Sequence, residues 1–433
     1  MLPLMRFSKI SMGITLLFTL GLPQILSSFE PAIAQTITTT SPNTLQIAQS
    51  NQVIFVAPNG LDTNSGTSAN QPLRSITAAI KKNLGVGTII QLADGKYTTE
   101  TGEQFPIKLP TGVILRGNPT NQGKDIIISG GGRFISPTFA RQDIAVLAID
   151  NSRIEGVTIT NANTRGYGLW VESAKNVTIT NNTFVKSNHD GVFLTGSATA
   201  DVIRNIFIQN GANGISALGT SSGKVQNNTF YNTGFGLAIG QKSQVSVLAN
   251  RIINNRGGIV VSNLSTPTFR NNLIANNQEN GLVVLKDRKG QPIVDLGTNT
   301  SLGQNIFQNN KQFDINNASG VKLIAIGNQA DPKRTQGAID LVVPKTPLTS
   351  PVTPEPVIPV EPPKTLPPST KTPASSPNAK PSPPPAIKPA TSPTTKTPTP
   401  TTPVVKPTTP KTTKPLPSNP TANPVNAAPP KSK

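Results

Sequence analysis

The sequence predicts an all-β fold, a right-handed parallel β-helix, and three observations lead to it. Asn182, Asn205, Asn228, Asn250 and Asn272 recur at spacings of 23, 23, 22 and 22 residues, each followed two positions later by Phe184, Phe207, Phe230, Ile252 or Ile274. In step with them run Gly168, Gly191, Gly214, Gly236, Gly258 and Gly281, each opening a short apolar stretch. Each period holds three strand-length pieces separated by turn residues and carries no helical apolar spacing. A unit of this size cannot bury its apolar face alone, so it stacks on its neighbours as a coil of a solenoid.

The elements follow in order. Arg6 and Lys9 precede an apolar stretch that includes Ile14 to Leu20, and Ala32-Ile33-Ala34 is a small-x-small cleavage pattern. Residues 1–34 therefore read as a secretory signal peptide, and residues 35–51, rich in Thr, Ser, Asn and Gln, as a flexible lead. The β-helix is expected over 52–343. Val53–Val56 reads as its first strand and 58–66 as a turn-rich loop. Ser75 to Leu84 has helical spacing with Ser75 as N-cap, and such a helix would cover the open end of the first coil. Short strands follow at Thr88–Leu92, Ile107–Leu109, Val113–Arg116, Asp125–Ser129, Val146–Ile149 and Val157–Thr160. The regular coils then run to about Phe307. The step from Asn272 to Asn305 is 33 residues, and its extra length, 286–297, reads as a projecting loop. From Pro344 to Lys433 the chain holds 29 Pro in 90 residues. Such a tail cannot pack a core and is expected to be disordered, polyproline-II-like coil, serving as a spacer in preference to the other open reading, a ligand for a proline-reading module.

Alternation along a strand sorts the side chains. After the glycines, Val192 and Leu194, Ile215 and Ala217, Leu237 and Ile239 should face inward. The middle positions, Trp170, Phe193, Ser216, Ala238, Val260 and Val283, should face outward. The Phe series should stack in the core. The Asn series should form an internal ladder, because an amide both donates and accepts and Asn tolerates left-handed turns.

Composition narrows the function. The chain has no cysteine, which excludes disulfides, a thiol nucleophile and a cysteine metal site. The net charge is +19, of which the tail contributes 11 Lys against 2 Glu. There is no arginine-rich helix or nucleic-acid motif, so nucleic acid is not an expected partner. An exported, diffusely basic chain suits an acidic polysaccharide or an envelope glycan. No stretch beyond the signal peptide could span a bilayer. The expected location is periplasmic, cell-surface or extracellular.

The stretch IFVAPNGLDTNSGTSANQPLRSITAAI (54–80), with GTIIQLADGKY and FPIKLPTGVILRG, resembles the start of an uncharacterised bacterial family known as domain of unknown function 1565. That family is placed in the pectin-lyase-like β-helix superfamily. The resemblance implies an extracytoplasmic β-helix, often linked to carbohydrate, and no settled reaction. Asn188-His189-Asp190-Gly191 is similar to the Asn-Thr-Asp-Gly motif of polygalacturonases. Where those enzymes carry two further aspartates this chain has Ala212 and Asn213, and for Gly-His-Gly it has Gly234-Phe235-Gly236. The paired carboxylates of an inverting hydrolase are missing. A lyase or epimerase needs a base at the sugar C5 proton and neutralisation of the uronate. His189 with Asp190 are the catalytic candidates, with Arg165, Tyr167, Lys186 and Arg256 as scattered further groups. Calcium is the one cofactor candidate, at the oxygen-rich loop of Asn59, Asp62, Asn64 and Ser65, although a plain Asx turn explains that loop as well.

Two classes of function stay open. One is a non-catalytic module binding a glycan in a groove where Trp170 and Phe193 stack on sugar rings, with Arg165, Glu172 and Asn188 orienting hydroxyls or a uronate. The other is a polysaccharide lyase or epimerase acting through His189 and Asp190.

Overall fold

A computed structural model describes residues 52–354. The expected signal peptide, the lead and the tail beyond Pro354 lie outside the described residues.

The chain winds into a parallel β-helix of three long sheets, one strand from each per coil. The first sheet has nine strands, from Val53–Val56 to Thr268–Arg270. The second has nine, from Gly95–Tyr97 to Ile306–Gln308. The third has ten on its main path, from Ile107–Lys108 to Thr335–Gln336, with an eleventh strand, Gly132–Ser136, paired beside it. Register is set by the sequence period: Phe184 pairs with Phe207, Phe207 with Phe230, and Phe230 with Ile252. A two-stranded sheet, Leu323–Ile326 with Ile339–Val342, lies beyond the last regular coils.

The core follows the alternation. Val192, Leu194, Ile215, Ala217, Leu237 and Ile239 are buried in one continuous cluster with the Phe series. Phe184, Phe207 and Phe230 stack at 5.0 and 4.7 Å between ring centroids, nearly parallel. This stack explains the glycine series. A Cβ on Gly191 would lie 2.8 Å from Phe207 Cδ1, and one on Gly214 would lie 2.4 Å from Phe230 Cδ1.

The asparagines form the ladder, fully buried at the turn between the first and second sheets. Each Nδ2 donates to the Oδ1 of the next coil's Asn at 2.8–3.1 Å, from Asn182 to Asn328. The left-handed residue of each turn is the one before the ladder Asn: Asn181, Arg204, Asn227, Ala249, Asn271 and Gln304, with φ from 53° to 57°. A second ladder runs between the second and third sheets. Thr233 donates to Asn255, Asn255 to Asn277, Asn277 to Asn310, and Asn310 to Asp314.

The capping helix spans Ile76–Lys81, with Ser75 Oγ accepting from the Ala78 N–H. The buried Glu103 carboxylate accepts from the Ile76 and Thr77 N–H groups, holding the helix over the first coil. Burial pushes its pKa up, against the pull of these bonds. Asp62 accepts from the Arg74 and Ser75 N–H groups and the Ser75 hydroxyl. The one carboxylate of the expected calcium loop is thus engaged in securing the helix start. Among the described residues no group of three or more His, Cys, Asp or Glu is arranged to hold a metal, and no helix is long and apolar enough to cross a membrane.

One element departs from the regular winding. Gly132–Ser136 and Ala140–Ala148 form an antiparallel hairpin, the latter strand also belonging to the third sheet. The hairpin folds over the outer face of the coils that follow it.

Candidate functional site

The hairpin overturns the expected aromatic groove. Trp170 and Phe193 do project outward, paired in register on adjacent coils, with rings stacked 4.1 Å apart. Yet Trp170 is 0% and Phe193 3% exposed, because Phe134 and Phe139 of the hairpin pack edge-on against them. Two large aromatic faces left in water would forfeit their burial energy, and the hairpin gives them a second core. Glu172 ties down this cover: its carboxylate accepts from Trp170 Nε1, Ser136 Oγ and Thr138 Oγ1. Trp170, Phe193 and Glu172 therefore hold a flap in place, and no sugar ring can stack on the two aromatics in this arrangement.

The remaining candidates come together at the edge of the third sheet, where the strands Gly166–Glu172 and Val192–Thr195 begin. His189 Nδ1 lies 3.0 Å from Asp190 Oδ1. That oxygen also accepts from the backbone N–H and Nδ2 of Asn213, and Oδ2 accepts from Ser216 Oγ. With so many donors converging, the carboxylate meets the ring as an acceptor, so Nδ1 carries a proton and Nε2 is the ring nitrogen turned away from Asp190. Asp190 is fully buried, whereas the His189 side chain is 38% exposed. Of the pair only His189 meets the surface, and the Asp190 carboxylate fixes its ring from behind.

The His189 ring stacks on Tyr167 at 4.6 Å. Burial pushes the Tyr167 hydroxyl up to about 12; the nearby Asp190 adds to this, and Arg165, which hydrogen-bonds the hydroxyl, opposes it. Tyr167 thus keeps its proton at neutral pH, and its ring backs the His189 imidazole. Asn188 Oδ1 accepts from the Arg165 N–H, fixing the left-handed turn at Arg165 (φ 57°) beside the histidine. The other scattered groups are not recruited. Arg256 lies over the Phe235 ring and faces Glu279, three coils further on. Among the described residues no hydrogen bond or ion pair joins Lys186 to the cluster.

The structure adds two arginines that the sequence period did not reveal. Arg133 and Arg141, both on the hairpin and both exposed, join Arg165 around a cleft of about 320 Å³ with Gln142, Asp143 and Thr164. Arg133 pairs in register with Asp143, and Arg141 with Ile135. Gln142 is 3% exposed, and its Oε1 has no partner among the described residues. The visible hint in the sequence was the alternation on either side of Pro137-Thr138-Phe139, a hairpin pattern. A larger cleft, about 770 Å³, lies beneath the projecting loop and is lined by Leu264, Ile293, Val321 and Ile324. Its walls are mainly apolar, and Asp295 there is bound by Arg270, so it lacks converging free charge.

Solved structures similar to the chain include pectate lyase Pel9A (15% identity, TM-score 0.43, covering 67% of this chain and 77% of that one). A rhamnogalacturonan lyase matches at 11% identity and TM-score 0.48, covering 68% and 87%. A GH136 lacto-N-biosidase from Eubacterium ramulus matches at 13% identity and TM-score 0.43, covering 67% and 68%. No curated protein is significantly similar in sequence. The sequence profile of the family described as Protein of unknown function (DUF1565) matches residues 58–336, most of the β-helix, and the chain belongs to that family.

Proposed function

We propose that the protein is an exported, non-catalytic binding module for an acidic glycan, which it holds at the arginine cleft beside His189. The observation that carries this reading is the convergence of Arg133, Arg141 and Arg165 on one cleft of about 320 Å³. Guanidinium groups match carboxylates as two-pronged donors, and three around one cleft suit a repeating uronate better than a neutral sugar. His189 and Asn188 extend the polar edge onto the next coil.

A second reading is supported by the His189–Asp190 pair. A buried carboxylate that orients the His189 ring through Nδ1 beside cationic groups suits a role for Nε2 in removing the C5 proton of a bound uronate, as in a lyase or an epimerase. The hydrolase alternative has no support, since Asp190 is sealed and Asn213 is bonded to it.

The test is titration of the full chain with acidic oligosaccharides (oligogalacturonate, alginate fragments) and with neutral ones of the same length. The binding reading expects affinity for an acidic series that falls at least tenfold in Arg141→Gln and Arg165→Gln. Equal binding by these variants would refute the cleft. Ultraviolet absorbance of unsaturated product, or deuterium uptake at C5 in heavy water, that disappears in His189→Ala would replace the binding reading with the catalytic one.

A further inference from the structure

The start of the proline-rich segment does not leave the solenoid at Val343. Leu348 packs against a satellite cluster on the outer face of the second sheet, formed by Ile253, Leu273, Ala275 and Ile306. Its N–H donates to Gln329 Oε1. Five residues on, Thr229 Oγ1 donates to Thr353 Oγ1 (2.8 Å) and Pro354 O (2.5 Å). Ile306, Leu273, Arg251 and Thr229 are successive partners in one row of that sheet. The segment therefore runs as a strap along the row, against the order of the coils, and crosses three coil steps by Pro354.

The row continues beyond Thr229. Its next members are Ile206, Thr183, Thr158 and Ile127. With Val185 and Ile208 of the neighbouring row they line an apolar groove of about 300 Å³. The inward position between Ile206 and Ile208 is Phe207, so both isoleucines turn away from the core, yet they are only 3% and 2% exposed.

We propose that residues 355–360, Glu-Pro-Val-Ile-Pro-Val, continue the strap into this groove. Three observations select that occupant. The described chain ends at Pro354 on Thr229, one coil from Ile206, and already travels in the required direction. Four coil steps of about 4.8 Å separate Thr229 from Ile127, roughly 19 Å, and a polyproline-II chain advances about 3.1 Å per residue, so about six residues span the groove. Four of the eleven branched aliphatic residues in 344–433 fall within Val352–Val360, three of them in these six positions. Two prolines there restrict the unbound chain, which lowers the entropy lost on docking. The strap gives the outward apolar rows of the second sheet a cover from the same chain. The inference is independent of the glycan reading.

Because the natural chain has no cysteine, paired cysteines test this in the full-length protein without competing thiols. The rise per residue sets Val357 opposite Thr183 and Val360 opposite Ile127. Thr183→Cys with Val357→Cys, and Ile127→Cys with Val360→Cys, should form intramolecular disulfides under mild oxidation at least tenfold faster than the swapped pairs, Thr183→Cys with Val360→Cys and Ile127→Cys with Val357→Cys. Equal rates for matched and swapped pairs would show a loose tether and overturn the proposal. So would disulfides forming only between two chains, or faster linkage of Thr183→Cys to Ile47→Cys in the lead. Thr183 is half-buried, and circular dichroism of each variant before oxidation confirms that the rates compare folded proteins.

Discussion

Replacing Asn228 by Ala tests whether the buried amides hold the coils in register. In the native chain Asn228 Oδ1 accepts from the Asn205 N–H at 2.8 Å and from Asn205 Nδ2 at 3.1 Å. Its Nδ2 donates to Val202 O at 2.8 Å and to Asn250 Oδ1 at 3.0 Å. Alanine leaves the Asn205 N–H and Val202 O without these partners in a site that water does not reach. Asn205 Nδ2 keeps the Ile179 and Ile203 carbonyls, and Asn250 Oδ1 keeps the Asn228 N–H, so neither is orphaned. Two buried unsatisfied groups at about 1–3 kcal/mol each give a loss of about 2–6 kcal/mol. With a urea m-value of about 3 kcal/mol/M, the midpoint falls by about 0.7–2 M. The fluorescence of Trp170, the single tryptophan and fully buried beneath the hairpin, reports the transition. Asn228→Asp should be at least as damaging, because a carboxylate would set an acceptor against Asn250 Oδ1 and lose the donor to Val202 O. The exposed Asn299→Ala is the control, expected within about 0.5 kcal/mol of the parent. If Asn228→Ala matches that control, the ladder does not stabilise the solenoid and the reasoning fails.

Three further outcomes follow from the same geometry. Phe207→Ala removes the central ring of the stack and should cost about 3–5 kcal/mol by urea denaturation; a cost below 1 kcal/mol would mean that the coils close over the gap. Tyr167 has a raised folded pKa, so its contribution to stability is complete below the unfolded value near 10 and is lost as pH climbs toward about 12. Tyr167→Phe should therefore lessen the alkaline fall in thermal midpoint over that window while leaving Tyr97, also raised by burial, to contribute; an unchanged alkaline limb would refute the assignment. Leu348→Asp places a charge in the satellite cluster and should lower the thermal midpoint and raise hydrogen exchange at Ile253 and Leu273, whereas the exposed Val352→Asp should change neither.

The repeat fixes what recurs in every coil, and that part of the molecule was legible in the chain. Asn182 to Asn305 and Gly168 to Gly281 repeat because each coil meets the same steric and hydrogen-bonding demands at the same place. The position of the Phe stack, the inward residues and the cap at Ser75 follow from alternation and local capping alone. The second ladder lies in the same period but is harder to see, because Thr233 takes the place of an amide and donates through a hydroxyl.

What only the tertiary structure decided is what happens once. The hairpin of Gly132–Ser136 and Ala140–Ala148 belongs to no repeat, and alternation within a strand cannot say that another segment will fold over its outer face. That event buries Trp170 and Phe193, turns Glu172 into a tether and brings Arg133 and Arg141 to Arg165. Asp190 and His189 are neighbours in sequence, yet their roles divide only when Asn213 and Ser216 of the next coil close over the carboxylate. Local period determines a solenoid because its contacts repeat between adjacent coils; a site made by an insertion depends on where that insertion lands, and the packing of the outer face decides it.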